Sequence, residues 1–163
     1  MSFSIIACIG KNRELGKDND LIFHFKEDMK FFRETTRGHT VVMGLNTWKS
    51  LCENPLPNRQ NLILSFDKLE NLPENTAQIP DLDEFVKQNI DTDEEVFIIG
   101  GASIYKLFLP YAKTLYLTEV DDAKDADVYF PEFNKEDYDL TTLNSITENQ
   151  TNFNINKYTR KES

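Results

Sequence analysis

The segment VFIIGGASIYKLF, residues 96–108, decides the reading of the fold. An unbroken apolar run ends at a pair of glycines, and a helix-like stretch starts at once. A run without alternation belongs to a strand covered on both faces, as in a parallel sheet. TVVMGLNTWKSL, residues 40–51, repeats the order of strand, glycine and helix. FSIIACI (3–9) and NLILS (61–65) share the unalternating character, while TLYLTEV (114–120) alternates more clearly. Helical stretches are predicted at 26–36, about 46–52, 82–89 and 102–109. Strands separated by single helices imply right-handed crossovers and a largely parallel sheet, so the class is α/β. The last third differs. DYDLTTLNSI and NFNINKYTRK flank the turn-rich TENQT with no helix between them, which predicts an antiparallel hairpin on one sheet edge.

The 163 residues suit one domain, 1–163, with no repeat, low-complexity tract or linker. Apolar content of 39% with 12 Phe is enough for a core and argues against disorder. With 28 acidic against 18 basic side chains, the net charge of −10 disfavours nucleic acid and anionic membrane as partners. Small anions remain possible ligands, because a local arginine or a helix N-terminus can outweigh the global field. Cys8 and Cys52 form no Cys-x-x-Cys or Cys/His pattern, so neither a disulfide framework nor a metal site is expected. SIIACIG is too short for a membrane span and lacks a basic leader, which points to a cytoplasmic protein. Asn149 in NQT fits the glycosylation pattern by chance, and His24 and His39 read as surface or loop residues. The stretch 10–24 carries no helix signal; such loops are often lids, and Gly10 and Gly16 would let it hinge.

Two charged residues stand out. If residues from Phe25 onward are helical, each turns by about 100°. Phe25, Met29, Phe32 and Thr36 then share one stripe, opposite Glu27, Lys30 and Glu34. Asp28 lies about 60° from Phe25, on the apolar side. It is either an acid serving the helix dipole from the first turn, or a pocket carboxylate awaiting paired donors. Glu27 could serve the dipole without desolvation. Arg59, just before the run NLILS, is either a surface arginine or a bidentate partner for a ligand carboxylate. The two strand–glycine–helix turns are either anion-binding or packing turns.

Taken together and in order, IIACIGKNRELG (5–16), DMKFFRETT (28–36), VVMGLNTWKSL (41–51), PLPNRQNLILS (55–65), VFIIGGASIY (96–105), LYLTEV (115–120) and VYFP (128–131) resemble the bacterial dihydrofolate reductases. The resemblance implies a mainly parallel eight-stranded sheet with an antiparallel C-terminal edge hairpin and about four helices. It implies reduction of 7,8-dihydrofolate to tetrahydrofolate by NADPH, in a monomer serving one-carbon metabolism. Asp28 would bind the 2-amino group and ring N3 of the pterin, with Thr118 hydrogen-bonded to it. Met29 and Phe32 would pack on one side of the substrate, Leu51 and Leu56 on the other. The carbonyls of Ile6 and Ile99 would line the ring edge, Cys8 and Tyr105 would complete the pocket, and Arg59 would hold the glutamate α-carboxylate. Ala7, Leu15, Gly16, Gly44, Leu45, Asn46, Thr47, Leu64, Ser65, Phe66, Gly100, Gly101, Ala102, Ser103 and Ile104 would hold the cofactor. The Gly100–Gly101 bond would be cis.

The chain departs from the family pattern in places. Ile22-Phe23 replaces Pro-Trp, and Phe25-Lys26 replaces Leu-Pro. Leu45 stands where an arginine commonly follows Met-Gly, and Ser103 where many members carry a second basic residue. These changes bear on cofactor phosphate recognition more than on folate. Two alternatives stay open: a pteridine or riboflavin-pathway reductase, for which Arg59 would have little to do, and a catalytically silent folate- or nucleotide-binding relative, which the altered lid favours.

Overall fold

Apolar runs become strands where both faces can be covered, and the structure follows that logic. The computed structural model describes residues 3–18 and 20–162. Residues 1, 2 and 163, at the ends of the expected domain, and Asn19, in the expected 10–24 loop, lie outside the described residues. In chain order the elements are β1 (Phe3–Ile9), β2 (Glu14–Lys17), β3 (Asp20–Leu21), α1 (Lys26–Thr36), β4 (Thr40–Gly44), α2 (Leu45–Ser50), β5 (Gln60–Leu64), β6 (Thr76–Ile79), α3 (Leu82–Asn89), β7 (Val96–Gly100), α4 (Ala102–Phe108), β8 (Thr114–Val120), β9 (Val128–Tyr129), β10 (Tyr138–Glu148) and β11 (Thr151–Arg160).

Eight strands form one sheet in the order β10-β11-β8-β1-β7-β4-β5-β6. The six from β8 to β6 run parallel; β11 and β10 join antiparallel at one edge. Asn149 and Gln150 both take positive φ, as a two-residue hairpin turn requires. β6, a short half-buried TAQI segment, extends the other edge and had no sequence signal of its own.

Neighbouring residues along the inner strands feed two different apolar clusters. Ile5, Val42 and Ile98 belong to the cluster that takes Val86 of α3 and Ile104, Tyr105 and Phe108 of α4. Ile6, Val41, Met43 and Phe97 belong to the cluster that takes Trp48 of α2, with Phe31 and Phe32 of α1 against it. Since strand side chains alternate between faces, the sheet is sandwiched, with α1 and α2 opposite α3 and α4. Each fully buried Ile, Val or Phe contributes about 1.5–3 kcal/mol by leaving water.

Two helix ends fall short of expectation for local reasons. The predicted 46–52 stops at Ser50 because Cys52 and Glu53 take positive φ; the predicted 102–109 stops at Phe108, two residues before Pro110. The 10–24 stretch is not a bare loop either. β2 pairs with β3 and with the distant β9 in a small antiparallel sheet. Gly10 and Gly16 also make room: a Cβ would lie 2.7 Å from the Glu14 carboxylate at Gly10 and 2.7 Å from the Asp20 carbonyl at Gly16.

Candidate active site

Asp28 sits in the first turn of α1, but it is not what caps that helix. The backbone N–H groups of Lys26 and Glu27 donate to Glu148 of β10, at 2.8 and 3.1 Å. With the exposed donors served from another strand, Asp28 is free to turn inward. Thr118, buried on β8, donates its hydroxyl to Asp28 Oδ1 at 2.5 Å. Cys8, paired with Thr118 in the β1–β8 register, hydrogen-bonds the same carboxylate. Burial raises the Asp28 pKa above the ordinary value; the Thr118 and Cys8 bonds oppose the rise and the Glu148 charge adds to it. Burial, with the Asp28 charge, pushes the Cys8 thiol well up, so it remains a donor. An ionised carboxylate has about four acceptor sites, so roughly half remain for a ligand with paired donors.

The surroundings are graded in exposure. Phe32, Leu51, Leu56 and Ile99 are half-buried against the cluster containing Ile6 and Trp48, each keeping one side open. Met29, on the same stripe as Phe32, is 56% exposed, whereas Phe25 and Thr36 at the two ends of the stripe are buried. The Tyr105 hydroxyl reaches the carbonyls of Ile6 (2.8 Å) and Ile99 (2.9 Å), fixing both toward one point. Each carbonyl retains a second lone pair.

Arg59 is no surface arginine, being only 7% exposed. Its Nε donates to Thr36 Oγ1 (2.9 Å), Nη1 to the Pro57 carbonyl (2.7 Å) and Nη2 to the Arg33 carbonyl (3.2 Å). Burial lowers its pKa, helped by the Arg37 and Arg33 charges. Among the described residues no carboxylate pairs with it. A guanidinium has five N–H groups, so two are left for an incoming anion.

The glycine turns lie side by side. β7 and β4 are neighbours, and α4 and α2 leave their ends with Gly101 and Gly44 at the N-caps, neither with a side-chain cap. Their first N–H groups are therefore available to an anion or a dipole. The Gly100–Gly101 peptide is cis, and Gly100 has φ +136°; a Cβ there would meet Thr47 Oγ1 at 3.3 Å and the Tyr105 hydroxyl at 3.4 Å. At Gly44 a Cβ would strike Ile104 Cγ1 at 2.8 Å, so only glycine lets the two turns approach. Ala102 and Ser103 open α4, and Asn46 and Thr47 lie in the first turn of α2. Leu64, Ser65 and Phe66 continue from β5, whose Leu64 is in register with Gly44. Such a cradle fits the diphosphate and ribose of a dinucleotide.

Of the expected cofactor residues, Leu15 and Ile104 are buried and Leu45 is half-buried. Leu15 and Ile104 turn their side chains into the core, and Leu45 packs toward Trp48. Gly16 is also engaged, its carbonyl accepting from Asp127 N–H at 3.0 Å. Ala7 lies half-buried on β1 next to Cys8.

Sequence reasoning missed three positioning residues. Glu148 caps α1 from 121 and 122 residues away and has no local signal. Asn61, fully buried, donates to the carbonyls of Leu56 and Arg59 and accepts from Leu56 N–H, which fixes the 55–59 loop. A polar side chain inside NLILS is the one hint that was available. Gln78 braces the turn after β5 in the same manner.

Comparison with known proteins shows the family. The family model described as dihydrofolate reductase matches residues 2–160. A dihydrofolate reductase of Bacillus subtilis is 34% identical over 152 residues, covering 91% of this chain and 87% of that one. One from Haemophilus influenzae is 36% identical, covering 86% and 85%. Among solved structures, a dihydrofolate reductase from Enterococcus faecalis complexed with NADP(H) and RAB-propyl superposes with a TM-score of 0.86 over 99% of this chain and 97% of that one; at 24% identity it speaks for the fold. A mainly parallel sheet with this edge hairpin, and a match along nearly its whole length, mean that the chain belongs to the dihydrofolate reductase family.

Proposed function

We propose that the protein reduces 7,8-dihydrofolate to 5,6,7,8-tetrahydrofolate with NADPH, as a cytoplasmic monomer of one domain (1–163), and so feeds one-carbon metabolism. The observation that carries this reading is the pair of uncompensated charges: Asp28 with open acceptor sites beside apolar side chains, and buried Arg59 without a carboxylate. Asp28 takes the 2-amino group and N3 of the pterin. Phe32 and Met29 cover one face, Leu51 and Leu56 the other, and the Ile6 and Ile99 carbonyls meet the ring edge. Met29, exposed without ligand, becomes covered by the substrate. Arg59 takes the α-carboxylate of the tail. Tail-less pterin or riboflavin-pathway substrates would leave Arg59 buried and unpaired, which is costly. Among the described residues no helix is long and apolar enough to cross a membrane.

NADPH, when bound, supplies the hydride that goes to C6 of the pterin. Gly44 to Thr47, Leu64 to Phe66 and Gly100 to Ile104 hold it, with backbone from Ala7, Leu15 and Gly16. Catalysis by the protein is positioning and electrostatics. Asp28, occupied at N3, does not reach N5; its charge favours the ring protonated there, and water delivers the proton. The β2–β3 hairpin, held to the 122–129 segment, keeps bulk solvent out.

The decisive assay follows loss of NADPH absorbance with and without dihydrofolate. Oxidation that depends on dihydrofolate is expected; its absence from purified folded protein refutes the reading.

Cofactor choice gives a sharper expectation. NADPH differs from NADH by a 2′-phosphate, and Leu45 offers no charge to it. Asn46, Ser65, Lys49 and Lys68 remain as partners. NADPH should still be preferred, by less than about a hundredfold in kcat/KM. Leu45→Arg should widen the ratio by about 10- to 150-fold, equivalent to about 1.5–3 kcal/mol for one charge-assisted contact. Added salt should narrow it again. A wild-type ratio above about a thousandfold contradicts this account of the phosphate site.

A further inference from the structure

Phe66 is the most exposed large apolar side chain among those described, at 109%; the next, Leu21, is 57% exposed. It follows β5 by two residues, beside the end of β4, whose Gly44 is in register with Leu64. The backbone around it is held with unusual care. Gln78 of β6 donates to the carbonyls of both its neighbours, Ser65 (3.1 Å) and Asp67 (2.8 Å). The same amide accepts from Leu69 N–H at 2.8 Å, and Ser65 Oγ accepts from Asp67 N–H at 3.2 Å. One side chain thus spends its amide N–H groups on the carbonyls of the two residues either side of a phenyl ring that touches solvent on every side. A ring needed only for folding would be inside; a turn of no consequence would not need this brace.

We propose that Phe66 is a preorganised stacking platform for the adenine ring of the dinucleotide, and that Gln78 is the positioning residue that presents it. This rests on the cofactor reading above and adds to it the residue that recognises the base. Every purine has a π-face, so an aromatic side chain gains from stacking whatever the ribose carries. Leu45 supplies no charge for the 2′-phosphate, so this chain relies more on the base than on the phosphate. The backbone that carries the ring is braced before binding, so little backbone entropy is lost when the base settles on it.

Calorimetric titration of the whole protein with NADPH, 2′,5′-ADP and reduced nicotinamide mononucleotide tests the idea. Phe66→Ala removes only exposed atoms, so folding should be unaffected. It should weaken NADPH and 2′,5′-ADP by about 5- to 150-fold. Binding of nicotinamide mononucleotide and of dihydrofolate should change by less than about twofold, as expected of a distant site. Phe66→Trp should restore adenine binding, and Gln78→Leu should lose a smaller part of it. Unchanged 2′,5′-ADP affinity in Phe66→Ala, with wild type binding normally, overturns the platform and leaves the proposed function standing. So does a change in self-association without a change in nucleotide affinity, which would make Phe66 a contact between copies. Failure of the wild type to bind any dinucleotide overturns both.

Discussion

Asp28→Asn should lower turnover with dihydrofolate at least about tenfold at neutral pH, a loss of about 1.4 kcal/mol or more of transition-state stabilisation. Asn keeps the shape and can still accept from Thr118, so the hydrogen bond that orients residue 28 survives. The charge does not. A neutral amide neither pairs with the donors at N3 and the 2-amino group in the same way nor favours the protonated ring. The deficit should shrink as the medium is acidified, because solvent then supplies the N5 proton more readily. Near-normal activity at neutral pH would remove Asp28 from the catalytic site.

Stability of the same variant should move the other way. Burial raises the Asp28 pKa in the folded protein, against hydrogen bonds from Thr118 and Cys8 that favour its charged form. A group whose folded pKa is raised contributes its full stability below its unfolded pKa and loses it as pH rises through the folded value. The empty wild-type protein therefore carries a penalty at neutral pH that the Asn variant lacks. Thermal melts should show the variant equal or more stable at pH 7, with the difference closing toward about pH 4, where the unfolded carboxyl protonates. A variant that melts well below wild type at pH 7 would mean that the charge holds the fold together.

The architecture was legible because burial leaves a local trace. Val96 to Ile99 and Val41 to Met43 are apolar without alternation, since both sheet faces are covered, and glycine marks the end of each run. β6 and the small β2–β9 sheet were invisible for the same reason: TAQI and ELGK are short, half-polar and defined by distant partners. The site divides similarly. Asp28 could be singled out because Glu27, next to it, made a second dipole-serving acid unnecessary. That Glu148, not Glu27, fills this role depends on the hairpin folding back, which no local pattern encodes. Helical phase places Met29 on the apolar stripe without saying whether protein covers it, and it is 56% exposed. For Arg59, the sequence could not tell surface from pocket, since Thr36 and Arg33, which hold it, are set by the packing of α1 on the sheet.

Arg59→Ala should raise KM for dihydrofolate by about 10- to 150-fold, the equivalent of about 1.5–3 kcal/mol for a charge-assisted pair. The size follows from preorganisation. Three of the guanidinium's donors are already committed to Thr36, Pro57 and Arg33, so the remaining edge is fixed before the tail arrives. Arg33 and Arg37 add positive potential around it, with no carboxylate to cancel it. Removing the side chain also leaves the Pro57 carbonyl without this donor, so some loss of thermal stability is expected, and KM alone cannot separate the two roles. A dihydropterin without the glutamate tail can. It uses Asp28 and the apolar walls but not Arg59, and its KM should hardly change. Arg59→Lys keeps the charge and loses the fork, and should fall between wild type and alanine with dihydrofolate. If both substrates suffer equally, the guanidinium only braces the end of α1 against the 55–59 loop. A buried, unpaired cation would then have no anion to meet, and the tail-less reductase would become the better reading.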